Sequence, residues 1–123
     1  MHAIFHLDTD GYSYSFEVFL AIFATEGEAD TALLKRIELA EALKKEKNDF
    51  RAASNDLYLE INECKRRNAD PTPLIRQLKK LELDWRVRLT NLGIHYDSDM
   101  PDADINNYEI RPIELGKFYD GTD

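Results

Sequence analysis

Between Glu28 and Asn68 the chain contains neither proline nor glycine. A stretch that long without a helix breaker is the strongest constraint on the fold, because an unbroken α-helix of about forty residues would span about 60 Å. Thr25-Glu26-Gly27-Glu28 opens it as a capping box. The threonine hydroxyl can accept from the N–H three residues on, and Glu26, Glu28 and Asp30 put negative charge at the positive end of the helix dipole. Leu39, Leu43, Phe50, Ala53, Leu57, Ile61 and Cys64 recur mostly at spacings of three and four, with Glu46 as a polar break. Asn48-Asp49 has poor helix propensity and marks the place for a bend.

Asn68-Ala69-Asp70-Pro71-Thr72-Pro73 then turns the chain. Either Asp70 or Thr72 can cap a second helix, each followed by a proline that the first turn tolerates. Leu74, Leu78, Leu81, Trp85, Leu89 and Leu92 follow at four, three, four, four and three, a leucine seam of coiled-coil type that ends at Gly93. Folding about Asp70 sets Ile61 against Leu78, Leu57 against Leu81, and Phe50 or Ala53 against Trp85 and Leu89. Leu83 and Val87 lie off the seam and are left to pack on the sheet or on another molecule.

The flanks read as strands. His2 to Leu7 and Tyr12 to Ala24 form a hairpin across Asp8-Thr9-Asp10-Gly11, and Tyr108 to Leu115 is a third strand, confined to an edge by Pro112. One parity of the second strand holds Tyr12, Tyr14, Phe16, Val18, Leu20 and Ile22. From Val18 both parities are apolar, so that end is expected to be covered on both sides or to meet a partner. The fold class expected is α+β: a small three-stranded antiparallel sheet with a long antiparallel helical hairpin inserted between strands 2 and 3. The 123 residues make one domain, with a sheet module at 1–24 and 105–116, a helical hairpin at 25–93 and an acidic loop at 94–107.

Charge is segregated along the chain. The formal net charge of -8 divides into -6 over residues 1–34, +4 over 35–95 and -6 over 96–123. The sheet module would repel phosphates, so direct nucleic-acid binding through it is disfavoured. A single cysteine allows no internal disulfide and fits a reducing compartment. The longest apolar run, Val18 to Ala24, is too short to span a bilayer, and no leader pattern is read at the start. The reading is a cytoplasmic protein with no membrane partner.

Four constellations bear on chemistry. Asp97, Asp99, Asp102 and Asp104 share part of the EF-hand spacing, but the glycine and glutamate that complete it are missing, and Tyr108 stands at the twelfth place. A solvated acidic loop is the expectation there, and no metal site is assigned. His2 and His6 share one face of a strand, His95 follows the second helix, and Cys64 fits the seam as an inert thiol beside Lys65 and Arg66. Lys65, Arg66, Arg67, Arg76, Lys79 and Lys80 form a basic tip, opposed by Glu60, Glu63, Asp70 and Glu82. Tyr12, Tyr14, Phe16, Phe19, Phe23, Tyr96, Tyr108, Phe118 and Tyr119 exceed what a small core needs, and aromatics are common at interface hot spots. From these, Tyr12, Tyr14, Glu17, Asp97, Asp99, Asp102, Asp104 and Tyr108 are the candidate partner-binding residues. No phosphate loop, nucleophile elbow, zinc-protease helix or cysteine pair occurs, so no catalytic residue or cofactor is assigned and the protein is read as not an enzyme.

Ile4-Phe5-His6-Leu7, then Val18 to Ala24 running into Thr25-Glu26-Gly27-Glu28-Ala29, then Tyr108-Glu109-Ile110-Arg111-Pro112-Ile113-Glu114-Leu115, resembles small acidic orphan proteins of phages and mobile elements. The resemblance covers residues 2–35 and 105–116, with the hairpin as an insertion. It implies an inhibitor of a bacterial defence system, anti-CRISPR proteins being the best-known class, acting in the host cytoplasm. No functional residue transfers with it, since such families share no active site. The expectation is a non-enzymatic protein that binds a host protein or ribonucleoprotein complex, its arm adding a second contact or making a homodimer. The alternatives are a nucleic-acid-binding adaptor using the basic tip and an assembly factor that oligomerises through the arm.

Overall fold

The computed structural model describes residues 1–9 and 15–114. Strand β1 is His2–Thr9, β2 is Ser15–Phe23, helix α1 is Glu26–Arg66, helix α2 is Thr72–Asn91 and β3 is Tyr108–Pro112. The fold is α+β: three antiparallel strands in the order β2-β1-β3, with the helical hairpin between β2 and β3 in sequence. The chain divides into two compact units, Met1–Glu41 together with the chain from Pro101 on, and Ala42–Met100. The boundary thus falls inside α1 and not at its start. No helix among the described residues is long and apolar enough to cross a membrane.

In the first unit β1 is the central strand, with Pro112 on the edge strand β3 as its missing N–H requires. The β1–β2 register holds one irregularity. Ile4 pairs with Ala21 and Phe5 with Phe19, so Leu20 is an extra residue on β2. This bulge breaks the parity read from the sequence. Val18 lies opposite His6 on one face, whereas Ile22, two pairs beyond the bulge, lies opposite Ala3 on the other. Phe23 moves to the covered face in its place. That face supplies Ile4 to a core closed by Ala29, Leu33 and Ile37 of α1, with Leu20, Phe23, Tyr108 and Ile110 packed around it. Beyond Gly27 the helix runs without a breaker and puts these three residues on one stripe at intervals of four. Its first turn is held by Glu28 N–H donating to the Thr25 hydroxyl at 3.2 Å, the hydroxyl half of the expected capping box.

In the second unit α1 runs through Asn48-Asp49 without a break. The residues expected on the seam are the protected ones: Leu43, Ile61 and Leu78 are buried, and Phe50, Ala53, Leu57, Leu74, Leu81, Trp85 and Leu89 are half-buried. Leu92, the last leucine expected on the seam, is exposed. Phe50 stacks on Trp85 with ring centroids 5.6 Å apart and planes 15° from parallel. Glu46, the polar break, takes a bidentate contact from Arg88 across the two helices, at 3.1 Å for both bonds. The helices end alike. Asn68 adopts φ 55° and Gly93 φ 75°. Ala69 N–H donates to the Cys64 carbonyl and Asn68 N–H to that of Lys65, while Ile94 N–H donates to Leu89 and Gly93 N–H to Thr90. Both are Schellman caps, which satisfy carbonyls that a helix end leaves free. Asp70 accepts from the Thr72 hydroxyl and N–H at 2.6 and 3.0 Å. Those two bonds, the hydroxyl first, hold its carboxyl below the ordinary range.

Two substitutions test this packing. The Ser54 hydroxyl is buried between seam positions with no hydrogen-bond partner among the described residues, so Ser54→Ala is expected to raise stability by about 1 kcal/mol in urea denaturation. At Gly93 an added Cβ meets nothing within 4 Å, so Gly93→Ala carries only the backbone strain of its positive φ and is expected to lose about 1 kcal/mol in the same assay.

Candidate functional site: the outward face of the sheet

The face of the sheet opposite the core is built from alternate residues of all three strands. Phe5 and Leu7 come from β1, Glu17, Phe19 and Ile22 from β2, and Glu109 and Arg111 from β3. Three of its apolar side chains are well exposed: Leu7 at 48%, Phe19 at 53% and Ile22 at 45%. Phe5 is half-buried and meets Phe19 edge-on with centroids 5.9 Å apart. The Arg111 guanidinium lies 4.6 Å from the Phe5 ring centroid, a cation–π contact. It donates to both Glu17 oxygens, and to Glu109 at 2.7 Å. Its hydrogen bonds are the main reason both carboxyls sit below the ordinary range, and the two carboxylates in turn raise the arginine. The result is an aromatic and aliphatic surface crossed by an ion triad with one surplus negative charge.

The bulge brings Ile22 to this surface beside Phe19, which periodicity alone could not show. A single extra residue leaves no mark in an already apolar run such as Val18 to Phe23. Arg111 is likewise unremarkable in sequence, because its partner Glu17 is set by strand order, although Glu109 stands two residues before it on the same strand.

The other candidate residues are dispersed. Tyr12 and Tyr14 lie outside the described residues, as do Phe118 and Tyr119. Tyr108 is on the core side, opposite the face of Glu17. Its ring lies 4.9 Å from that of His6, and its hydroxyl donates to the Asp102 carbonyl at 2.6 Å. Asp97 and Asp99 belong to the second unit, Asp102 and Asp104 to the first.

The carboxylates of the acidic loop are engaged in local structure. Asp99 accepts the N–H groups of His95 and Tyr96 at 3.1 Å each, Asp97 stands 3.8 Å from the Lys47 ammonium, and Asp104 accepts from Asn106 N–H. Asp102 gathers the most: His6 Nε2 at 3.1 Å, Asn107 Nδ2 at 2.6 Å and Asp104 N–H at 2.9 Å. No group of three or more His, Cys, Asp or Glu among the described residues is arranged to hold a metal ion.

At the tip of the hairpin Glu63 draws in both Arg66, at 2.7 Å, and Arg67, at 3.3 Å. Lys65, Arg76, Lys79 and Lys80 have no ion-pair partner among the described residues. Cys64 is a half-buried free thiol on the seam. No protein family, curated protein or solved structure was found to match the chain.

Asp102 ties the loop to β1, and the tie is pH-dependent. Burial raises its carboxyl's pKa, but the Asp104 N–H, His6 and Asn107 outweigh that and hold it below the ordinary value. A lowered folded-state pKa contributes stability that is complete above the unfolded value near about 4 and is lost as pH falls through the folded one. Asp102→Asn is expected to cost about 1–2 kcal/mol at pH 7. The difference from the parent chain should close as pH drops below about 4, in urea denaturation repeated across that range.

Proposed function

We propose that the protein is a non-catalytic binding protein that blocks a partner by covering a basic surface on it. The observation that carries this reading is the outward sheet face, where Leu7, Phe19 and Ile22 are exposed beside the Glu17–Arg111–Glu109 triad. Apolar side chains with adjoining polar groups are what protein interfaces use, whereas scattered exposed hydrophobics are the norm elsewhere on a surface. The charge supports the sign of the partner. The first unit carries 14 Asp and Glu against four Lys and Arg, a net of -10, and the second carries 10 against 12, a net of +2. A field of that sign speeds encounter with a basic surface and repels nucleic acid. Partners with such surfaces are those that hold nucleic acid themselves. The resemblance to phage and mobile-element proteins makes a bacterial defence complex, of the kind anti-CRISPR proteins inhibit, the class to test first. That setting places the protein in the host cytoplasm.

The basic tip supports a second reading, a nucleic-acid adaptor, through the four cations there that lack a partner. One experiment separates the two. The protein is immobilised and challenged with purified nucleic-acid-handling defence complexes and with labelled RNA and duplex DNA, alongside Phe19→Asp and an Arg76→Ala/Lys79→Ala pair. Arg76 and Lys79 are exposed and unpaired, so that pair should change folding by under about 0.5 kcal/mol, whereas Phe19→Asp gives up the edge-on contact with Phe5, about 1 kcal/mol, and circular dichroism checks that it is folded. Phe19→Asp is expected to weaken capture of the protein complex by at least about tenfold, and the tip pair to leave it unchanged. Nucleic-acid binding that falls with salt and is lost in the tip pair would replace the first reading by the second.

A further inference from the structure

A groove within the second unit has a chemistry that the sheet face does not. It has a volume of about 480 Å³ and runs along one side of the Phe50–Trp85 stack, between Glu46 and Asp49 of α1 and Asp84 and Arg88 of α2. Glu46 and Arg88 neutralise each other through their bidentate contact. Asp49 and Asp84, one from each helix, are left without an ion-pair or hydrogen-bond partner among the described residues. Lys45 and Lys80 precede them by one turn, but a base placed four residues before an acid is the weaker orientation on a helix, and neither pairs. The groove on the other side of the same aromatic pair is lined by Glu82 and Arg86 and is electrically balanced. The two sides therefore share their rings and differ in charge.

We propose that the Asp49/Asp84 side of the hairpin binds an arginine side chain of a basic peptide segment. A guanidinium carries donors in several directions for carboxylates on opposite walls, and a planar face that lies well against aromatic carbon. It is also weakly hydrated, so it gives up water for such a site at lower cost than an ammonium does. The groove already holds one guanidinium, that of Arg88, in bidentate contact with Glu46. An anionic ligand is excluded by the surplus of two negative charges, and a purely apolar one would leave both carboxylates facing it unpaired.

Trp85 is the only tryptophan, so its emission reports this site in the intact chain. The protein is titrated with a capped Gly-Arg-Gly peptide and with its lysine and citrulline counterparts. The arginine peptide is expected to give a saturable change with a dissociation constant of about 1 mM, weaker in high salt. The citrulline peptide should give none, and Asp49→Asn/Asp84→Asn should weaken the response by at least about tenfold. Both positions are exposed, and circular dichroism checks that the variant is folded. Glu82→Gln, on the balanced side, and Phe19→Asp, on the sheet face, should leave the titration unchanged, so this site stands or falls apart from the function proposed above. An equal response to citrulline, a lysine peptide that binds as tightly, no saturation by about 20 mM, or full binding by the double variant would each overturn the assignment.

Discussion

Both units depend on burying one stripe of α1. In the sheet unit Ala29, Leu33 and Ile37 close the core against Ile4, and in the hairpin unit Leu43 and Ile61 are the most protected residues of the helix. A fully buried leucine or isoleucine contributes about 1.5–3 kcal/mol, so a few such residues outweigh everything the exposed ion pairs add. A helix this long has weak need of local devices in its interior and strong need of them at its ends. The structure concentrates them there: a hydroxyl cap at Thr25, left-handed residues at Asn68 and Gly93, and an aspartate turn at Asp70. The same balance explains why Asn48-Asp49 does not break the helix, since two poor helix formers lose only a few tenths of a kcal/mol each against flanking residues packed on α2.

The hairpin was legible in the sequence because its signals are redundant. The leucine spacing, the missing breakers, the two prolines at the start of α2 and Gly93 at its end all point to the same boundaries. Folding about Asp70 brings either Phe50 or Ala53 to Trp85, and the structure stacks Phe50 there, whereas the Glu46–Arg88 contact does not follow from it, because Glu46 reads as a flaw in the seam until its partner is known. The sheet was legible in its strands but not in its faces. Leu20 is one more apolar residue in an apolar run, and only the pairing with β1 shows that it is extra. That residue decides whether Ile22 or Phe23 meets α1, and hence what the sheet offers to solvent.

The acidic loop illustrates a different limit. Four aspartates in eight residues suggest a ligand site by composition, yet three of them accept backbone N–H groups within five residues of themselves, and Asp97 stands near Lys47. Aspartate competes with backbone for its own N–H groups, so a run of alternating aspartates is as good a recipe for successive tight turns as for a cation. Here the turns carry the chain from the end of α2 to β3. Asp102, which also reaches His6 and Asn107, fastens its own turn to β1 within the first unit.

Charge and apolar exposure coincide in a way that neither shows alone. An acidic unit gains solubility from its repulsion, and it then has little reason to leave three large apolar side chains open on a sheet face. The Arg111 triad sharpens the point. It sets a guanidinium over the Phe5 ring and ties it to Glu17 and Glu109, which orders the polar part of the surface in the free protein. Groups held in place in a free protein lose less freedom in any association they enter. The face is therefore ordered in the free protein by one arginine, and it carries its exposed apolar side chains beside a surplus negative charge.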